Sequence, residues 1–241
     1  MEQKTKTLQN PEIILTNLMK LLSCEMRTPL NAVVGGASLL SNTYTKKNKD
    51  CLAFIDYGVK RIIYLTDVVN VLADLKSNNF SVFPVTVDPN KFIKDLENDL
   101  LELSLSSENS SRFLTFKVNG TEELVFDKNI VSMILLNILL NINNLNQDAK
   151  FEIIFYHFNN KAVITINEIS KGITKKDIPF IYNPFRFVEN NNFDLMISED
   201  RMIYQILINE LVEKIDANLN FETNQSGKII FKLTVPNGAK T

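Results

Sequence analysis

Two long runs of helical-period apolar residues, separated by a short polar stretch, constrain this chain more than any other feature. Over residues 11–40, Ile14, Leu15, Leu18, Leu21, Leu22, Met26, Leu30, Val33, Val34, Ala37 and Leu40 recur at three- and four-residue spacing, the period of one helix face. Residues 41–50, SNTYTKKNKD, are polar and turn-like. A second run follows through Leu52, Ile55, Val59, Ile62, Ile63, Leu65, Val69, Leu72 and Leu75. Two such helices joined by a short loop form an antiparallel hairpin. One hairpin leaves its apolar stripes half covered, and pairing two into a four-helix bundle covers them, so a homodimer is expected. Pro11 suits a first helical turn. Pro29 is expected to bend the first helix, because it lacks an N–H and crowds the preceding turn.

Residues 77–89 carry two prolines and a β-rich stretch at 80–87, and mark the entry into a second domain. The expected division is 1–78 for the helical hairpin and 79–241 for the remainder. Beyond it, 90–105 is patterned as a helix, 113–118 as a strand, and 127–144 as a helix with Asp127 as N-cap. Residues 151–158 and 161–167 alternate as a β-hairpin around Asn159-Asn160. A helix over 199–215 and a last hairpin, 219–223 with 228–235 around Ser226-Gly227, complete the pattern. Strands with helices on one side give an α/β sandwich, so the fold class is α+β.

The chain has 241 residues and 45% hydrophobic content, enough for a real core. A net charge of −2 gives no case for a nucleic-acid or anionic-membrane partner. The most apolar run, 130–142, is interrupted by Ser132, Asn137 and Asn141 and is shorter than the roughly 20 residues a bilayer needs. Two cysteines, Cys24 and Cys51, fit a reducing compartment. The first ten residues, MEQKTKTLQN, lead into no apolar segment. A soluble, cytoplasmic protein is expected.

Several segments in order now carry a resemblance. SCEMRTPLN at 23–31 resembles the H-box of sensor histidine kinases, in which the residue before the Glu is the phosphorylated histidine. Residues 127–144 resemble the N-box of that family's ATP-binding domain, with Asn137 and Asn141 on its two asparagines. IPFIYNPFRF at 178–187 is similar to its F-box. The resemblance covers about residues 10 to 237. It implies a dimerisation and phosphotransfer hairpin, then a Bergerat-type ATPase domain. It also implies ATP with magnesium as cofactor, Asn141 as the metal residue, and a response-regulator receiver domain as partner.

The departures from that pattern bear on function. Cys24 stands at the phosphoacceptor position. An imidazole is nucleophilic near neutral pH and its phosphoramidate is labile, whereas an ordinary thiol, with a pKa of about 8.5, is only a few per cent thiolate there. The alternatives are a small, half-buried helix residue, a redox or metal role, and phosphorylation of the thiol itself. A Cys24–Cys51 disulfide is not expected, since at about 1.5 Å per residue the two lie far apart along a hairpin. The single histidine, His157, falls in an expected strand and offers no substitute acceptor.

Glu25 and Thr28 share a helix face. By the resemblance, the first assists kinase chemistry and the second helps place a water for dephosphorylating the partner. Positioning a water needs a hydrogen-bonding side chain rather than a nucleophile, so a phosphatase activity can outlive the histidine. The alternative is a solvated glutamate and a threonine before a proline kink.

At the nucleotide site, Glu168 occupies the family's adenine-holding Asp position and Ser170 its first glycine, leaving Gly172. The glycine-rich lid box is replaced by MIYQ at 202–205, placing bulky side chains where backbone should cradle phosphates. With 7 glycines in all, the chain is not expected to hold ATP or magnesium usefully. The alternative for the region is a packed sandwich that kept its core and lost its ligand.

Three functions stand open. The first is a binding module that regulates a response regulator or a partner histidine kinase through the helix face bearing Cys24, Glu25, Arg27 and Thr28. The second is a receiver-domain phosphatase using Glu25 and Thr28. The third is a diverged ATP-dependent phosphotransferase, against which the missing histidine and the missing glycines argue independently.

Overall fold

The computed structural model describes residues 11–42, 48–77, 79–103, 114–119, 124–145, 150–169, 173, 178, 202–224, 226 and 228–238. The chain divides into two compact units, Met1–Val69 with Asn183–Ile206, and Asn70–Tyr182 with Leu207–Thr241.

The first unit is built on α1 (Pro11–Asn42) and α2 (Asn48–Lys76), the expected hairpin. Helix α2 starts inside the stretch patterned as a turn, so the connection is shorter than the sequence suggests. Helix α1 continues through Pro29, which is buried. Two glycines let the backbones close up. A Cβ on Gly36 would lie 2.7 Å from Ile55 Cγ1 and 2.8 Å from the Cys51 carbonyl oxygen. One on Gly58 would lie 2.5 Å from the Pro29 carbonyl oxygen. Cys51 is a free, buried thiol.

The second unit carries two sheets. Strand β1 (Val85–Val87) pairs antiparallel with β3 (Leu124–Phe126). The larger sheet has the order β2-β4-β5-β7-β6. Its strands are β2 (Leu114–Asn119), β4 (Phe151–Phe158), β5 (Lys161–Glu168), β6 (Asn218–Thr223) and β7 (Ile229–Pro236). Strand β2 runs parallel to β4 and the other pairs are antiparallel. The β4–β5 turn places Asn159 and Asn160 at φ 49° and 56°, the left-handed region in which Asn is tolerated.

Helix α3 (Pro89–Leu103) buries Phe92, Ile93, Leu96, Leu100 and Leu103. Phe92 meets Phe126 and Phe155 edge-on, with centroids 5.7 and 5.6 Å away, the geometry that ring quadrupoles favour. The Asp88 carboxylate caps α3 by accepting from Asn90 N–H at 2.9 Å. Helix α4 (Lys128–Leu145) is buried from Ile134 to Ile142. Asp127 caps it as expected, Oδ1 accepting from Asn129 and Ile130 N–H at 3.0 and 3.1 Å. Its Oδ2 accepts from Phe83 N–H at 2.7 Å, tying the approach to β1 onto the same carboxylate. Helix α5 (Met202–Lys214) ends before Asp216, which holds a left-handed φ of 49°.

Among the described residues no helix is long and apolar enough to cross a membrane. The sequence pattern did not anticipate β3. Three residues are too few for alternation to register.

Candidate functional site

On α1, Arg27 and Thr28 are exposed while Pro29 next to them is buried. Both are therefore solvent-facing in the single chain. Cys24 and Glu25 lie on the same helix, four and three residues before Thr28, but their side chains fall outside the described residues. Exposed apolar side chains border this face, with Met26, Leu30 and Val34 one turn apart. On α2, Leu52, Val59 and Ile63 are exposed likewise.

On α4, Asn137 and Asn141 stand one turn apart on one face, and both are shut away from solvent, at 1% and 2% exposure. Asn137 turns its amide back on its own helix, Nδ2 donating to the Met133 carbonyl at 2.7 Å. Its Oδ1 finds no partner among the described residues. Asn141 is engaged within the fold. The helix explains both positions. A four-residue spacing on a fully buried helix brings two polar side chains to the same interior face.

Glu168 ends β5 and is 4% exposed. Its carboxylate is taken up by main chain on both sides. Oε1 accepts from Ile173 N–H at 2.8 Å and Oε2 from Ile229 N–H at 3.1 Å. One oxygen thus holds the main chain at Ile173 and the other the start of β7. Reading adenine requires a carboxylate oxygen that accepts from the exocyclic amine; each Glu168 oxygen here accepts one main-chain N–H and keeps a second lone pair. Gly172 and Ser170 lie outside the described residues, as do residues 179–187 of the F-box-like segment. No cluster of three metal-ligating side chains occurs among the described residues.

The lid-box counterpart is the first turn of α5. Ile203, Tyr204 and Gln205 are all buried there. Tyr204 is held by α2. Arg61 Nη2 donates to its hydroxyl at 3.2 Å, the guanidinium carbon lies 5.6 Å from the ring centroid, and Tyr64 stacks at 6.4 Å and 23°. Sequence reasoning flagged Tyr204 only as bulk. Arg61 and Tyr64 carry no local signal, since the pair spans 143 residues.

Two carboxylates on α3 are shifted. A hydrogen bond from Lys128 holds Asp95 below its ordinary range, against some desolvation, and the charges of Lys128 and Lys91 add to it. Desolvation, then the negative charges of Glu102 and Asp95, pushes Asp99 up, with Lys128 opposing.

No protein-family model matches the chain, and no curated protein matches it by sequence. Solved structures share its fold. The Acinetobacter baumannii histidine kinase AdeS matches with a TM-score of 0.58 at 13% identity, over 89% of this chain and 98% of that one. Full-length ShkA in complex with AMPPNP matches at 0.54 and 18% identity, over 97% of this chain and 47% of that one. Histidine kinase ThkA in complex with the response regulator protein TrrA matches at 0.52 and 15%, over 93% of this chain and 62% of that one. The chain has the fold of these kinases, a helical hairpin followed by an α/β sandwich.

Proposed function

We propose that this protein is a degenerate histidine-kinase-like component of two-component signalling, and that it regulates a receiver domain or a partner kinase by binding rather than by phosphorylation. The observation that carries this reading is the Glu168 clasp, in which the carboxylate at the adenine position is bonded to the Ile173 and Ile229 amides. Two further features support it. Asn137 is turned onto its own helix, and a thiol replaces the imidazole at Cys24. ATP and magnesium are then not cofactors of this chain, although ShkA was solved with AMPPNP.

The ThkA structure holds a response regulator, and a receiver domain is the partner proposed here. It docks on the α1 face with Arg27 and Thr28, where Cys24 and Glu25 also lie. The chain acts as a homodimer through the exposed stripe Met26, Leu30 and Val34. Thermal unfolding with and without MgATP tests the nucleotide half of the proposal. An unchanged melting temperature is expected, and a clear rise overturns it. Co-purification with a receiver domain, weakened by Arg27→Glu, tests the binding half.

The exposure of Thr28 favours one second reading, a phosphatase acting on a phosphorylated receiver domain. Faster loss of receiver phosphate that disappears in Thr28→Ala selects it over pure binding.

A further inference from the structure

The first turn of α5 is fastened to the hairpin by side chains that the proposed function does not use. Tyr204 is 5% exposed and lies between the fully buried Ile203 and Gln205. Arg61 reaches its hydroxyl at 3.2 Å, so the guanidinium approaches from the hydroxyl end of the ring and stays within cation–π range at 5.6 Å. Tyr64, one turn further along α2, stacks on the same ring. The compact unit built on the hairpin correspondingly includes α5 up to Ile206.

We propose that Tyr204 is a strap that fixes the start of α5 to α2. A glycine at this position, which the resemblance assigns to a phosphate-cradling lid, offers neither ring nor hydroxyl and leaves the turn free to move. Tyrosine reverses that property. Its ring gives Arg61 and Tyr64 a rigid face with only two side-chain torsions to order. Its hydroxyl gives the guanidinium a directed acceptor. The turn becomes a fixed part of the helical unit. This goes beyond the proposed function, because it concerns motion rather than ligand.

Hydrogen exchange on the full chain, without nucleotide in any arm, tests the strap. The amides of residues 206–210 report on it, since their helical acceptors are the carbonyls of the strapped turn. Tyr204→Ala is expected to raise their exchange about tenfold, the loss of one hydrogen bond plus one cation–π contact, even though alanine is the better helix former. Arg61→Gln, on the other helix, is expected to raise exchange at the same α5 amides. Unchanged α5 exchange in Arg61→Gln overturns the proposal, because a merely local effect of residue 204 cannot depend on residue 61. If Tyr204→Ala fails to fold, Tyr204→Phe keeps the ring and removes the hydroxyl. Combined with Arg61→Gln it should exchange no faster than either single variant, and multiplying effects would refute the pairing. The absence of nucleotide separates this outcome from the ATP-binding question.

Discussion

Gly58 packs against the Pro29 carbonyl, with room for a hydrogen and no more. A Cβ there would lie 2.5 Å from that oxygen, 2.7 Å from Val33 Cγ2 and 3.2 Å from Val33 N. Two of the three obstacles are backbone, which cannot rotate aside. Alanine at an exposed helix site gains about 1 kcal/mol over glycine, but overpacking a tight contact costs roughly 1–3 kcal/mol. Gly58→Ala should therefore destabilise the hairpin, seen as a lower urea midpoint in far-UV circular dichroism. Gly35, with nothing within 4 Å of a Cβ, is the matched control. Gly35→Ala should stabilise. If both substitutions stabilise, the close approach of the helices is refuted.

Removing the Glu168 carboxylate should cost more than its position at a strand end suggests. Glu168→Ala strands the buried Ile173 and Ile229 amides, at about 1–3 kcal/mol for each unsatisfied donor. Glu168→Gln keeps one accepting oxygen and turns an amide donor toward the other N–H, so it too should lose stability. Glu168→Asp is shorter by one methylene and cannot span both amides. Urea unfolding of the three variants checks this. Wild-type stability in Glu168→Ala would show that the clasp holds nothing.

These two cases mark where the sequence stops being informative. Helices α1, α2 and α4 were legible because their apolar residues repeat over many turns, and Asp127 was legible as a cap because capping is local. The Asn159-Asn160 turn likewise announces itself, since few residues accept φ values of 49° and 56°. The partners of Glu168 were not legible. They are main-chain amides, one of them 61 residues away, and an amide carries no residue signature. The Arg61–Tyr204 contact spans 143 residues and was hidden for the same reason. The functions of Gly36 and Gly58 depend on the register of two helices, which the period of each alone does not set.

The two shifted carboxylates on α3 should give opposite pH dependences. Asp95 is lowered by Lys128, 2.6 Å away. A depressed folded pKa means that its contribution is complete above the ordinary value of 3.8 and is lost as pH falls through the lowered one. Lys128→Met should then destabilise at neutral pH and have a smaller effect in acid. Asp99 is raised, so ionising it costs stability at neutral pH, and the penalty disappears below 3.8. Asp99→Asn should raise the neutral melting temperature by about 1–2 °C, the small effect proper to a largely exposed charge. The gain should vanish in acid. A gain that grows as pH falls would have the wrong sign.

The apolar stripe on the hairpin gives the last prediction. Met26, Leu30 and Val34 line one face of α1, and Leu52, Val59 and Ile63 one face of α2, all exposed in the single chain. Scattered exposed apolar residues need no explanation, but three at helical spacing on each helix of one hairpin form two apolar stripes. Pairing with a second copy, as proposed, would bury them. At roughly 1.5–3 kcal/mol for each large side chain removed from water, two such residues separate a stable dimer from a weak one. Leu30→Glu and Ile63→Glu each place a charge in that seam, and each should shift sedimentation from dimer to monomer while far-UV circular dichroism keeps its helical signal. Met26, Val59 and their neighbours remain, so the double variant should dissociate further than either single one. A wild-type chain that sediments as a monomer at all accessible concentrations would remove the four-helix bundle and leave the stripe to a different partner.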